Sequence, residues 1–140
     1  MKYTFTLVSA FLILTSYSCK QEKKDGTNKM AEVMAAHDQL MAKMGTLTKL
    51  IGELNGKVDS TETATEYDAA KKDLQNAHKS MMDWMKGFGD NFDSDEILNG
   101  KALSANKQKL LEKEMDKIQE IKKQMESSIE KAQDLLKPEK

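Results

Sequence analysis

Two histidines and the methionines that follow them are the residues of this chain best suited to chemistry. His37 is followed by Met at four and seven positions, and His78 repeats this spacing with Met82 and Met85. On a helix these offsets lie on one face, so each repeat places an imidazole beside two thioethers. That combination suits a soft ion such as Cu(I), whereas zinc sites prefer Cys, carboxylate or more His.

The two repeats predict one layer of facing side chains if the helices fold back on each other. A reversal near residue 59 sets His37 opposite Met81, and a second reversal near residue 96 brings Met115 beside His78. The candidate metal ligands of this layer are His37, Met41, His78, Met81, Met82 and Met115, with Met34 and Met85 at its edge.

Core packing is the competing explanation of the same residues. Met is an adaptable filler of helical seams, and a nearby Asp such as Asp38 or Asp83 could satisfy either histidine. A b-type haem held between one His and one Met is a variant of the metal hypothesis, and covalent haem is excluded because no CxxCH is present. We therefore expect no cofactor, with Cu(I) or b-type haem as the alternative.

Motifs and charge argue against catalysis and against nucleic-acid binding. Ser-His-Asp, HExxH, GxSxG and phosphate-binding glycine patterns are missing. Every basic residue is Lys and the formal net charge is −1, so bidentate phosphate recognition by Arg is impossible and no basic footprint is present. We expect a protein that is not an enzyme and does not bind nucleic acid.

The N-terminal segment, residues 1–18, has the plan of a secretory signal peptide. Lys2 stands near its start, an apolar run follows, and small residues end it. The run is too short to span a membrane comfortably. The only Cys of the chain, Cys19, comes directly afterwards, so neither an intramolecular disulfide nor a Cys-based metal site can form.

This N-terminus resembles that of bacterial lipoproteins, with Ser18 as the small residue before the Cys. In that family the signal is cut before the Cys, whose sulfur receives a diacylglycerol and whose amine receives an acyl chain such as palmitate. The resemblance implies a membrane anchor at Cys19, and Lys20 in place of Asp implies the outer membrane. An ordinary signal peptidase reading Ser16 and Ser18 could cut the same bond and leave Cys19 unmodified.

The remaining chain predicts a tether and three helices. Residues 19–28 are polar and predict a flexible tether, and residues 29–137 predict a helical bundle. In the first helix the apolar positions alternate spacings of three and four, the seam of a coiled coil. That seam is Met30, Val33, His37, Leu40, Met44, Leu47, Ile51, Leu54 and Val58.

The other two helices follow the same pattern. Capping boxes at 59–62 and 63–66 predict the start of the second helix, and Gly87 and Gly89 predict its end. The connection 90–103 predicts a solvated turn with one helical turn at 95–98, since its acids do not match an EF-hand loop. Ser104 caps the third helix.

We therefore predict an all-α, elongated, up-down-up three-helix bundle behind a signal peptide and tether. The body resembles the small Lys/Glu-rich helical lipoproteins of bacterial envelopes. This resemblance implies a lipid-anchored module that interacts with, or scaffolds, another protein. The alternative is a lipoprotein that handles a soft metal or haem through the His/Met layer.

Overall fold

The computed structural model of the chain consists of α-helices throughout the part that it describes, residues 19–57 and 64–137, with side chains described from residue 26 onward. The elements are α1 (Cys19–Asn55), α2 (Ala64–Asn91), α3 (Ser94–Leu98) and α4 (Ala105–Leu135). These residues contain no strand, which confirms the predicted all-α class. None of the helices in these two ranges is long and apolar enough to cross a membrane. The predicted signal peptide and the first capping box, 59–62, lie outside the described residues.

The three long helices pack side by side, and every pair of them is in contact. Three polar contacts join α1 to α4, each between residues 83 positions apart: Lys29 with Glu112, Gln39 with Lys122, and Lys43 with Glu126. A constant difference means that α1 and α4 run parallel. Residues 73–76 of α2 line a pocket with 124–131 of α4, whereas residues 80–91 line one with 114–124, so α2 runs antiparallel to α4. The up-down-up order is therefore present.

One apolar seam from each long helix forms the core. Its members recur every seven residues, as in a coiled coil, and are completely buried. They are Val33, Leu40, Leu47 and Leu54 of α1, Leu74 and Met81 of α2, and Leu111, Ile118 and Met125 of α4. The predicted seam of α1 is correct at its four members here, but His37, Met44 and Ile51 are only half-buried, because they lie beside the seam of α1 and not on it. Ala36 and Leu50 are buried on the other side of that seam.

Residues 19–28 belong to the described part of α1, so this segment is helical where a flexible tether was predicted. Lys, Gln and Glu dominate this segment and are good helix formers. The start of α4 also supports it: a Cβ on Gly26 would contact the Gln108 side chain at 3.9 Å. Polar composition alone therefore did not identify an unstructured segment.

The second helix also extends further than predicted, through Gly87 and Gly89 to Asn91. The aromatic ring of Phe88 packs on that of Phe92, with centroids 4.7 Å apart, and both side chains are buried. This burial outweighs the cost of about 1 kcal/mol for each helical Gly.

The connection to α4 contains the predicted helical turn, here α3. Asp93 caps it in a capping box, because its side chain accepts from the Glu96 backbone and the Glu96 side chain accepts from the Asp93 backbone. Glu96 is buried and also binds the Lys107 ammonium. These hydrogen bonds, that of Lys107 above all, hold the pKa of the Glu96 carboxyl below its ordinary value of 4.5. Ser104 caps α4, as predicted.

Ile118→Ala tests the assignment of the seam. We expect it to lower the free energy of unfolding by about 2–5 kcal/mol, because it removes completely buried apolar atoms and leaves a cavity. Urea unfolding followed by circular dichroism measures the change. The control is Leu98→Ala, at a side chain 76% exposed, which should change the same quantity by less than about 0.5 kcal/mol. An equally small effect of both variants would contradict the assignment.

Candidate functional site

The first histidine lies on the side of α1 that faces α2. Its ring lies against the indole of Trp84, with centroids 6.0 Å apart, and its side chain is 17% exposed. Residues seven positions apart share a side of a coiled-coil helix. Met44, seven residues after His37, is half-buried on this same side and packs against the core.

The second histidine lies on the side of α2 that faces α1. Lys71, seven residues before His78, reaches the side-chain oxygen of Asn55 in α1 at 3.5 Å. Met85, seven residues after His78, packs against the core and is half-buried, as His78 is. Both His-Met repeats therefore face the boundary between α1 and α2.

The register of the helices sets each histidine level with the second methionine of the other repeat. Met85 follows Trp84 directly and so lies level with His37. Asp73 of α2 binds Lys131 of α4. Because the two helices are antiparallel, His78, five residues after Asp73, lies level with Glu126, five residues before Lys131. Glu126 binds Lys43, whose neighbour is Met44. The two repeats are thus related by an approximate two-fold axis.

Two further methionines lie on the outside of this boundary. Met41 is 37% exposed and Met82 is 46% exposed, and with Leu98 they are the exposed large hydrophobic residues of the described part of the chain. Each lies four residues after a histidine, on the same face as that histidine. We call the six residues of the two repeats the His/Met edge: His37, Met41, Met44, His78, Met82 and Met85.

Two of the predicted ligands lie elsewhere. Met81 is completely buried in the core seam of α2. Met115 lies in α4, eleven residues from the position level with His78, which is about 16 Å along the helix. The Gln119 amide approaches its sulfur at 3.7 Å. Met115 is therefore not level with the histidines as predicted, because the α2–α4 connection does not reverse symmetrically about residue 96.

A carboxylate holds one histidine ring. The Nδ1 atom of His37 lies 2.9 Å from Oδ1 of Asp38, one of the two acids considered for this role. An ionised carboxylate only accepts hydrogen bonds, so Nδ1 carries a proton in this contact and Nε2 is the ring nitrogen left for a ligand. The other acid considered, Asp83, binds Lys79 instead.

A groove between α2 and α4 is a second candidate surface, which the sequence did not indicate. It has a volume of about 620 Å³. Its lining contains three acids against one lysine, together with small or uncharged side chains. These residues are Asp83, Glu114, Glu120 and Lys117, with Ser80, Trp84, Gly87, Asn91, Ile121 and Gln124.

Two polar groups beside this groove are unusual for the core of a helical bundle. The indole N–H of Trp84 is buried without a hydrogen-bond partner among the described residues. The Glu114 side chain is 3% exposed and accepts from the Lys117 ammonium at 2.8 Å. The burial of Glu114 could have been predicted from the sequence, because this residue lies three positions after Leu111 and four before Ile118, a spacing that places it on the same face of the helix. A buried donor without an acceptor costs about 1–3 kcal/mol.

The chemistry available at the two surfaces differs. The His/Met edge offers imidazole and thioether donors, which bind soft cations. The groove offers carboxylates, which suit a cationic group. Among the described residues, no group of three or more His, Cys, Asp or Glu side chains is arranged to hold a metal ion.

No protein-family model matches the chain, and neither a curated protein nor a solved structure is significantly similar to it.

Glu114→Leu tests whether the groove retains a charge at the expense of stability. We expect the substitution to raise the free energy of unfolding by roughly 1–4 kcal/mol, because Leu fills a seam position without burying a carboxylate. Urea unfolding measures the change. The matched control is Glu112→Leu, at a neighbouring side chain 60% exposed, which should change stability by less than about 0.5 kcal/mol. A marked loss of stability in Glu114→Leu alone would mean that the carboxylate is needed for folding.

Proposed function

We propose that this chain is a lipid-anchored helical protein of the bacterial cell envelope, and that it is an interaction module and not an enzyme. The observation that carries the proposal is the position of Cys19, the only Cys in the chain, directly after a segment with the plan of a signal peptide. A lone Cys at the one position where lipoproteins carry theirs is well explained by acylation. Lys20 in place of Asp favours the outer membrane.

The direction of the helices supports an anchor at one end of the bundle. Cys19 is the first residue of α1, and the α2–α4 connection with α3 lies at the same end because α1 and α4 are parallel. The 37 residues of α1 extend for about 55 Å. A bundle held by acyl chains at Cys19 would therefore keep its long sides, including the groove between α2 and α4, open to a partner.

The charges of the groove favour a basic partner segment. Three of its four charged side chains are acidic, and the groove is long enough to contact several turns of α2 and α4. Lys or Arg side chains of the partner would pair first with Glu120, because Asp83 already binds Lys79 and the buried Glu114 already binds Lys117. We infer that the partner is a protein that presents a basic peptide segment.

The anchor is tested by the mass of the mature protein from a bacterial host. We expect a chain that begins at Cys19, carries a mass increment of acyl chains and partitions into detergent, since two or more chains give stable anchoring at about 0.8 kcal/mol per buried methylene. Cys19→Ser is the control, and should lose both the increment and the partitioning. A wild-type protein with an unmodified Cys19 thiol would refute the anchor and favour ordinary signal peptidase cleavage.

The groove is tested by a photo-crosslinking residue at Ser80 in the anchored protein, irradiated in the intact envelope. We expect a defined adduct that Glu120→Lys reduces several-fold, because the reversed charge repels a basic segment. The control places the same crosslinker at Lys123, which is exposed on α4 and does not line the groove. Equal adducts at both positions, or an adduct that the charge reversal leaves unchanged, would contradict docking in the groove.

A further inference from the structure

We propose that the His/Met edge is a binding site for a soft monovalent cation, Cu(I) or Ag(I), with two equivalent places along the α1–α2 boundary. This inference does not depend on the proposed docking groove, which lies on the other side of α2. It revises the ligand set predicted from the sequence, because Met44 and Met85 at the α1–α2 boundary replace Met81, which lies in the core seam, and Met115, which lies at another level.

Each proposed place combines one imidazole with two thioethers. Within a repeat, the histidine and the Met four residues later are neighbours on one helix face, with Cβ atoms about 5–6 Å apart. The third ligand comes from the facing helix, at the level that the register sets. The first place is His37, Met41 and Met85, and the second is His78, Met82 and Met44.

The ligand types select the ion. Thioether sulfur and neutral imidazole nitrogen are soft or intermediate donors that favour Cu(I), and they offer no anionic oxygen to attract Mg²⁺ or Ca²⁺. Ag(I) has the same charge and similar softness, and it does not change its oxidation state in air. It is therefore a suitable probe.

The burial of the edge also fits a bound ion. His37, His78, Met44 and Met85 are half-buried, so a bound ion would be partly removed from water. Met41 and Met82 are exposed, so their thioethers are accessible from solvent. Core packing does not require a large apolar side chain at two such exposed positions.

The contact of His37 with Asp38 prepares one imidazole for coordination. Because Asp38 holds Nδ1 as the protonated nitrogen, Nε2 is left as the ligand atom. Carboxylate partners of this kind orient metal-binding histidines and raise their basicity. No carboxylate holds the ring of His78 among the described residues, so we expect the first place to bind the ion more tightly than the second.

Trp84 provides an optical signal for the first place. It is the only Trp of the chain, and its indole lies 6.0 Å from the His37 ring. A heavy cation bound at His37 should quench the emission of Trp84 strongly. An ion bound at His78, about two helical turns away, should affect it less.

The experiment is a titration of the purified full chain with silver nitrate in chloride-free buffer. The chain carries Cys19→Ser, so that the only thiol cannot bind the ion. We expect calorimetry to show two equivalents of Ag(I) bound per chain. The fluorescence of Trp84 should be quenched while the first equivalent is added. The melting temperature of the chain should be higher in the presence of the ion. Anaerobic competition of Cu(I) against bicinchoninate should give the same stoichiometry.

Matched variants separate the edge from other methionines. His37→Gln should remove one equivalent together with most of the quenching, whereas His78→Gln should remove one equivalent and leave most of the quenching. Met41→Leu and Met82→Leu, which keep side-chain volume, should each weaken binding at least tenfold at one place. The control is Met115→Leu, also a half-buried methionine of the bundle, which should bind two equivalents as before.

Three results would overturn the proposal. These are no binding of Ag(I) or Cu(I) by the folded chain, unchanged binding in both histidine variants, or a loss of binding in Met115→Leu equal to that in the edge variants. Circular dichroism confirms that each variant is helical before titration. If a histidine variant is not folded, the conservative Met41→Leu and Met82→Leu variants decide the result. A negative result would not bear on the proposed N-terminal anchor or the proposed docking groove, because neither involves the residues of the His/Met edge.

Discussion

The burial of one heptad-spaced apolar seam from each long helix is the constraint on which the rest of this structure depends. Leu40, Met81 and Ile118 represent the three seams, and each is completely removed from water. Because a seam fixes the rotation of its helix, it also fixes which residues lie beside it. His37 and His78 are half-buried for this reason, since they occupy positions next to the seam on the sides where α1 and α2 meet. The packing of the seams therefore determines which side chains are available on the surface to bind a ligand.

The two polar groups that interrupt the apolar core lie beside the groove between α2 and α4. Glu114 occupies a seam position of α4, and Trp84 buries an N–H donor without an acceptor in the described residues. A bundle selected for stability alone would place apolar side chains at both positions, since buried ions and unpaired donors lower stability. Departures of this kind are expected at functional surfaces. The groove and the His/Met edge lie on opposite sides of α2, so a protein partner and a soft cation would not compete for the same residues.

The α2–α4 connection sets the register of the third long helix. Phe92 packs on Phe88, and Glu96 binds both the Asp93 backbone and Lys107, so the connection is folded onto the end of the bundle. As a result α4 begins beyond the end of α2, and its first turns contact the first turns of α1. This displacement is what separates Met115 from the two histidines.

The sequence by itself determined the helical class, the heptad of completely buried residues in α1, the helical turn at α3 and the cap at Ser104, because each depends on the 3.6-residue period of a helix or on contacts between near neighbours. It also determined that His37 shares a face with Met41, and His78 with Met82. The tertiary structure alone decided which helix lies beside each face and at what level. It placed Met115 away from the level of the histidines, exposed Met41 and made residues 19–28 part of α1. The physical reason is that register and burial arise from contacts between residues distant in the chain, and the periodicity of a single helix carries no information about them.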